Sequence, residues 1–475
     1  RILVICYSLI LMVSYASTLS LWGDDLATIF FVEKGQRINV ILNRIYSDIG
    51  SNPPLFYLVA FLWIRIIPFG TFFVKLLNII CCFLGIIFCG NTARHIKGDR
   101  AALIVTIFAA TSFFLINYAA FSFRCYGFYF MVCSLLIRAY YNRLSRPKDL
   151  SAHIIYCIML IVALYTHYFS IVIFGVLALY DLYLFGRRKI SFNCAYGYIV
   201  AFLFFVPLLI IALKSMITVS TNFWAQIPTP SIFLETFELL FSNQKFTLLM
   251  FLTAIVVLCL CEEKQQLSSI TNQAITALIV WVLFLFAFVY WFSRQEWLSS
   301  VFYSRYFVAA LAPAIIVSGI GLDYILDLIC INKPEAFSKT LVYIIICCCF
   351  ANNAVEQFKV VDSFPGYVDQ PIEQAIEYIY GNDISHLPNT LVISNMNNDH
   401  LNYYATHNGT RENLNFGALY SSNHMLYDNI VSFTLWGDLD EKTKAVLNEW
   451  YEPVASVPFN NTANVVIYQH ITSNQ

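Results

Sequence analysis

The sequence predicts a polytopic α-helical membrane protein that carries an α/β domain outside the membrane at its C-terminus. Two observations lead there. Of 475 residues, 59% are hydrophobic and only 12% charged, against about 25% charged in an ordinary soluble domain, and a single soluble core could not hide so much apolar surface. The composition then changes along the chain: apolar runs dominate up to about residue 354, after which they shorten and Asn, Asp, Glu and Tyr become frequent.

Runs long enough to cross a hydrocarbon core of about 30 Å fall near 2–19, 71–92, 101–118, 127–142, 153–166, 169–185, 193–213, 245–261, 272–292, 305–327 and 339–354, about eleven spans in all. The run 2–19 has no small-residue cleavage site ahead of a soluble chain and reads as a retained span. Lys and Arg are kept on the cytoplasmic side. The basic clusters at Arg94, Lys97 and Arg100, at 138–148, at Arg187, Arg188 and Lys189, and around Lys264 and Lys333 fall at alternate junctions. One orientation satisfies them all, with the N-terminus inside and the C-terminus outside. The loops 20–53, 117–126, 166–168, 214–244 and 293–304 then share the outer face with the tail. Residues 54–67 are apolar but short and follow two prolines, which favours a helix lying in the outer interface.

The chain therefore divides into a transmembrane module, 1–354, with an outer loop at 20–70, and an extracytoplasmic α/β domain, 355–475. At about 120 residues the second part can sustain its own core. Segments 369–380 and 441–451 have helical periodicity; 390–394, 431–435 and 465–468 read as strands.

Several functions are excluded or disfavoured. A net charge of -1, with basic residues in scattered short clusters, offers no field for nucleic acid. The 14 cysteines lie in or near apolar runs, with none after Cys349, and show neither a disulfide framework nor metal-ligand spacing. No metal or other cofactor is expected. The absence of an internal repeat argues against an inverted-repeat transporter.

Chemistry concentrates at the outer junctions. In Leu21-Trp22-Gly23-Asp24-Asp25 two carboxylates stand where the chain leaves the first span. On a helix they point in different directions, so one can face a cavity while the other anchors the loop, and at a low-dielectric edge a carboxylate acquires the raised pKa of a general base. A solvated loop end would look the same. Asn52-Pro53-Pro54-Leu55-Phe56-Tyr57 is a rigid turn ahead of an amphipathic segment. Arg124 and Arg305 sit in almost uncharged surroundings, where a basic residue costs about 2.5–3.5 kcal/mol to insert and therefore needs a partner, an acid or a bound phosphate. One such arginine is an interfacial anchor as readily as a ligand; two on one face suggest an anion site. His167, in Tyr165-Thr166-His167-Tyr168-Phe169, is either a hydrogen-bonded interfacial residue or a site residue.

Taken in order, these segments resemble the membrane glycosyltransferases of the GT-C superfamily, particularly the family 39-like bacterial proteins related to protein O-mannosyltransferases and lipid A aminoarabinose transferases. The family's acidic pair after span one is matched by Asp24-Asp25 and its His-Pro-Pro-Leu-Tyr-Tyr element by residues 52–57. Its Arg-x-Tyr resembles Arg124-Cys125-Tyr126, its Tyr-Thr-His-Tyr-Phe matches 165–169, and its Arg-Tyr-Phe matches 305–307. Leu391-Val392-Ile393-Ser394 and the later Asn402-Tyr403-Tyr404 resemble the family's external α/β domain. Each motif is weak alone; their order on one face is more specific. The chain departs from the pattern at Asp25, usually Glu; at Asn52, usually His; and at Phe121-Ser122, often Gln-Glu.

The resemblance implies a hexosyl- or pentosyltransferase of the bacterial inner (plasma) membrane, with its active site facing the periplasm or cell exterior. Such an enzyme moves a sugar from a polyprenyl-phosphate donor to a glycan, lipid or protein acceptor among the membrane lipids. It implies Asp24 and Asp25 as catalytic residues; Arg124, Arg305, Tyr126 and Tyr306 around the donor phosphate; and Asn52, His167 and Tyr303 toward substrate. The alternatives are a lipid-linked glycan transporter or polymerase without donor-cleaving chemistry, which would want charges inside its spans, and a receptor or scaffold whose tail binds a partner.

Overall fold

The computed structural model describes residues 1–18, 21, 23–32, 37–47, 52–67, 70–190, 194–219, 227–241, 269–295, 300–330, 372–381, 389–395, 415–435, 438–459 and 463–471, with scattered positions in 248–255 and 334–355. The expected span at 245–261 lies mostly outside these residues, as do parts of 339–354 and all of 402–404. Two compact units emerge: residues 1–16, 31–67 and 74–363 in one, and 17–30, 68–73 and 364–475 in the other.

The helices are α1 (Ile2–Thr18), α2 (Gly23–Val32), α3 (Ile38–Ser47), α4 (Leu55–Ile66), α5 (Thr71–Lys97), α6 (Asp99–Ala110), α7 (Tyr126–Ser145), α8 (Leu150–Leu164), α9 (Ser170–Gly186), α10 (Cys194–Val219), α11 (Pro230–Leu240), α12 (Ser269–Phe292) and α13 (Val308–Cys330). Among the described residues, four are long and apolar enough to cross a membrane: α5, α10, α12, and α13 with the 3-10 turn Ser304–Phe307 that leads into it. Among the shorter apolar helices, α4 has 12 residues and rises about 18 Å.

One expected run is broken. Residues 101–118 do not form a continuous helix: α6 stops at Ala110, and a π-helix, Leu115–Ala119, follows. Thr111 closes the end of α6, its N–H and its hydroxyl both bonding the carbonyl of Ile107, at 3.0 and 2.8 Å. Ala120 N–H then reaches Leu115 O at 3.0 Å, the wider spacing of a π-turn, a feature common at functional sites.

Polar clamps join helices whose apolar faces give little directional information. Gly319 of α13 lets that helix approach α6, since a Cβ there would lie 2.4 Å from Val105 Cγ2. At the same contact Lys97 bonds Asp323 at 3.1 Å, and Arg100 pairs with Asp323 and Asp327. A second clamp ties α7 to α10. Arg143, buried, pairs with buried Asp181 of α9, while Tyr140 and Tyr198 donate to the same carboxylate at 3.0 and 2.8 Å. Tyr156 of α8 meets the Tyr198 hydroxyl at 2.8 Å, and the Arg143 guanidinium lies 4.3 Å from the Tyr156 ring centroid.

In the second unit α14 (Ile372–Gly381) and α15 (Glu441–Trp450) accompany a mixed sheet in the order β2-β1-β3-β5-β4. Its strands are β1 (Thr390–Ser394), β2 (Asn415–Phe416), β3 (Asn429–Leu435), β4 (Tyr451–Phe459) and β5 (Ala463–His470). β1 runs parallel to β2 and β3, with Val392 opposite Val431; β5 is antiparallel to β3 and β4, with Val431 opposite Ile467. Ile372, Ala375, Ile376 and Ile379 of α14 are buried at the spacing of one helical face. Leu391, Ile393, Ile430, Val446, Leu447 and Tyr451 belong to one apolar core cluster. Asp440 caps α15, accepting from Lys442 N at 3.1 Å and Thr443 N at 3.0 Å.

Candidate active site

Four segments separated in sequence meet in the first unit. Leu55 N–H, at the start of α4, donates to Tyr165 O at 3.0 Å, joining the Asn52-Pro53-Pro54 turn to the loop between α8 and α9. Phe56 packs edge-on against Phe123 at 5.9 Å, which brings in the Arg124 segment. Phe169 packs edge-on against Tyr306 and Phe307, each at 5.8 Å, which brings in the Arg305 turn. Phe307 is itself stacked on Phe286 of α12 at 4.0 Å, so this turn is fixed by aromatic packing.

His167 lies at the meeting point, in the short loop outside the helices, and is buried. Its ring stacks on Tyr129 at 5.0 Å and 12° and has Tyr126 at 6.4 Å and Tyr306 at 5.7 Å. Tyr129 is held in turn: Ser170 Oγ donates to Ala163 O at 2.7 Å and accepts the Tyr129 hydroxyl at 2.7 Å. The Phe169 N–H donates to His167 Nδ1 at 3.1 Å. Burial, and then the charges of Arg124 and Arg305, lower the imidazole pKa to about 3, so the ring is neutral at physiological pH and both guanidiniums act on it.

Arg305 is buried, its guanidinium 4.9 Å from the Tyr303 ring centroid and 5.5 Å from that of Tyr306. Arg124 is half-buried, and its backbone is held by a residue the sequence reading passed over. Asn78 of α5 donates through Nδ2 to Ser122 O and, at 2.6 Å, to Arg124 O, while its Oδ1 accepts Phe128 N–H at 3.2 Å. The adjoining Gly127 admits this approach, since a Cβ there would lie 2.9 Å from Ala119 O and 3.0 Å from Asn78 Oδ1. One turn along α5, Lys75 is fully buried and donates to Ala16 O at 3.4 Å. A lone Lys and an Asn three residues on, in an apolar run, were the available signal for both.

The structure thus brings together His167, Arg124, Arg305, Tyr126, Tyr303 and Tyr306. Asn52 is half-buried, and its segment is joined to theirs through Leu55 and Phe56. Asp24 and Asp25 open α2, within residues assigned to the second unit. Asp25 is buried and Asp24 half-buried, the split expected of neighbours pointing in different directions on a helix. Two cations, a neutral imidazole and several phenols form a setting suited to an anion bearing several oxygens.

The sequence matches no protein-family model and no curated protein. Its fold has clear counterparts among solved structures. ArnT from Cupriavidus metallidurans in the apo state aligns with a TM-score of 0.62 at 14% identity, covering 98% of this chain and 97% of that one. The same protein bound to undecaprenyl phosphate aligns at 0.59, also at 14% identity, with the same coverage. The archaeal oligosaccharyltransferase AglB from Archaeoglobus fulgidus, in complex with an inhibitory peptide and a dolichol-phosphate, aligns at 0.53 with 12% identity, covering 100% of this chain and 74% of that one. The chain has the GT-C fold that the ordered motifs led us to expect.

Proposed function

We propose that this chain is a GT-C glycosyltransferase that moves a sugar from a polyprenyl-phosphate donor to an acceptor on the outer side of the bacterial inner membrane. The observation that carries this reading is the convergence of Arg124, Arg305, Tyr126, Tyr306 and His167 from three separate segments. Support also comes from the fold, whose counterparts include one protein bound to undecaprenyl phosphate and one to a dolichol-phosphate.

In this reading Asp24 accepts the proton of the acceptor hydroxyl as its oxygen forms a bond to the anomeric carbon. The bond from that carbon to the phosphate oxygen breaks, and polyprenyl phosphate leaves with the electron pair. Arg124 and Arg305 meet the charge developing on the leaving phosphate, where fixed cations in a water-poor site act more strongly than in water. Tyr126 and Tyr306 line the phosphate, Tyr303, His167 and Asn52 face substrate, and Asp25 holds the α2 entrance. The tail is an extracytoplasmic domain, 355–475, borne by the transmembrane module.

The decisive experiment incubates the purified protein with a panel of hexosyl and pentosyl polyprenyl phosphates and follows release of polyprenyl phosphate with glycan, lipid and protein acceptors. At least one donor should be consumed, in step with sugar transfer. A properly folded protein that binds these donors but transports them intact would favour the transporter reading instead.

A further inference from the structure

We propose that His167 and Tyr126 form a neutral two-donor subsite for a phosphoryl oxygen of the lipid phosphate, with His167 serving as a fixed N–H donor and not as an acid or base. This rests on the donor-phosphate reading above and deepens it, by giving the substrate-facing His167 a bond to the phosphate group itself.

The argument starts from protons. A backbone N–H can only donate, so the bond from Phe169 makes Nδ1 of His167 an acceptor, and the proton of the neutral ring resides on Nε2. That Nε2–H is buried and has no hydrogen-bond partner among the described residues; the same holds for the hydroxyl of Tyr126. Burying a donor without a partner is costly, and here two such donors stand on neighbouring rings, centroids 6.4 Å apart, where a ligand oxygen would relieve that cost.

The surroundings select the kind of oxygen. The groups around the imidazole are the guanidiniums of Arg124 and Arg305 and the phenols of Tyr126, Tyr129 and Tyr306. Both charged groups are cationic, so they favour an anionic ligand oxygen and oppose protonation of the ring. The stacking of His167 on Tyr129 and the Phe169 N–H bond fix ring orientation and tautomer together, as a positioned donor demands.

The test is equilibrium binding of undecaprenyl phosphate to the full chain in detergent, with uncharged polyprenol as control. Tyr126→Phe removes one hydroxyl and His167→Phe removes the N–H; each should weaken undecaprenyl phosphate binding about tenfold, the order expected for one hydrogen bond to a charged group. Polyprenol binding should not change. His167→Gln, which keeps an N–H donor, should recover part of the loss. Wild-type affinity should be flat between about pH 5.5 and 8 with respect to this ring.

Wild-type affinity in folded Tyr126→Phe and His167→Phe proteins would overturn the subsite while leaving the donor reading intact. So would a pH step near neutrality that disappears in His167→Phe. If the wild-type protein does not prefer undecaprenyl phosphate to polyprenol, the donor-phosphate reading fails and the subsite falls with it.

Discussion

The side-chain amide of Asn78 donates to the backbone carbonyl of Arg124 at 2.6 Å, so a residue inside helix α5 sets where a candidate phosphate-binding arginine leaves the chain. The same amide bonds Ser122 O and accepts Phe128 N–H, gripping the segment on both sides. Asn78→Leu keeps the approximate volume and removes three hydrogen bonds at a buried position. It should cost about 3 kcal/mol or more in stability, seen as a lower melting temperature in detergent. Asn78→Asp keeps the acceptor but turns a carboxylate toward two carbonyls, and should be no milder. Melting curves indistinguishable from wild type would show that the grip is not important.

Gly127 gives a more local prediction. An added methyl meets Ala119 O and Asn78 Oδ1 at about 3 Å, so Gly127→Ala must displace either the π-helix or the Asn78 amide. We expect about 1–3 kcal/mol of destabilisation and weakened lipid-phosphate binding, because Tyr126 moves with its neighbour. Gly175, where a Cβ would meet nothing within 4 Å, is the control, and its replacement by Ala should be tolerated.

The Arg143–Asp181 pair predicts non-additivity. Removing either partner strands a buried charge, so Arg143→Met or Asp181→Leu alone should cost about 3–5 kcal/mol. Arg143→Met with Asp181→Leu should be less harmful than the sum of the two, although Tyr140 and Tyr198 lose their common acceptor. A thermal-melting double-mutant cycle measures this directly; simple additivity would mean that the carboxylate matters only to the tyrosines.

His167 links the site to pH. Its folded pKa, about 3, lies below the usual 6.5, so the unfolded chain binds the proton that the folded one refuses. The contribution is fully present above about pH 6.5 and is lost as pH falls toward 3, at about 1.4 kcal/mol per pH unit. Between pH 6.5 and 5 that amounts to about 1.6 kcal/mol, since the unfolded ring is half protonated at the upper limit. Wild-type stability should therefore fall more steeply on acidification than that of His167→Phe. Parallel curves would indicate a ring that titrates normally in the fold.

Much of the fold was legible because its signals are local. Apolar runs located most of the helices, though not α2, α3 or α11, and the helical periodicity of 369–380 announced α14. Strand β4 was not legible: Pro453 and Pro458 argue against a strand, and they are tolerated because β4 is the edge of the sheet, paired only with β5. β2 is two residues long, too short for periodicity. At the site, Arg124, Arg305 and His167 stood out as polar residues in apolar surroundings. Asn78 and Asp181 did not, since their importance lies in partners 46 and 38 residues away, which no local pattern encodes.

The last prediction separates the roles proposed for Asp24 and the arginines. Asp24→Asn preserves size and much of the hydrogen bonding but cannot accept a proton, so single-turnover transfer should slow by about 10²–10⁴ while donor affinity largely survives. Arg305→Ala removes a cation that meets the phosphate both before and during its departure, and should weaken donor retention as well as slow transfer. Arg124→Ala should behave in the same way. Asp25→Asn, at the buried member of the pair, should lower the melting temperature more than Asp24→Asn and affect turnover less. Donor affinity, single-turnover rate and melting temperature for each variant give the comparison. A well-folded Asp24→Asn protein that transfers sugar at nearly the wild-type rate would remove Asp24 as the base and shift that role to Asp25.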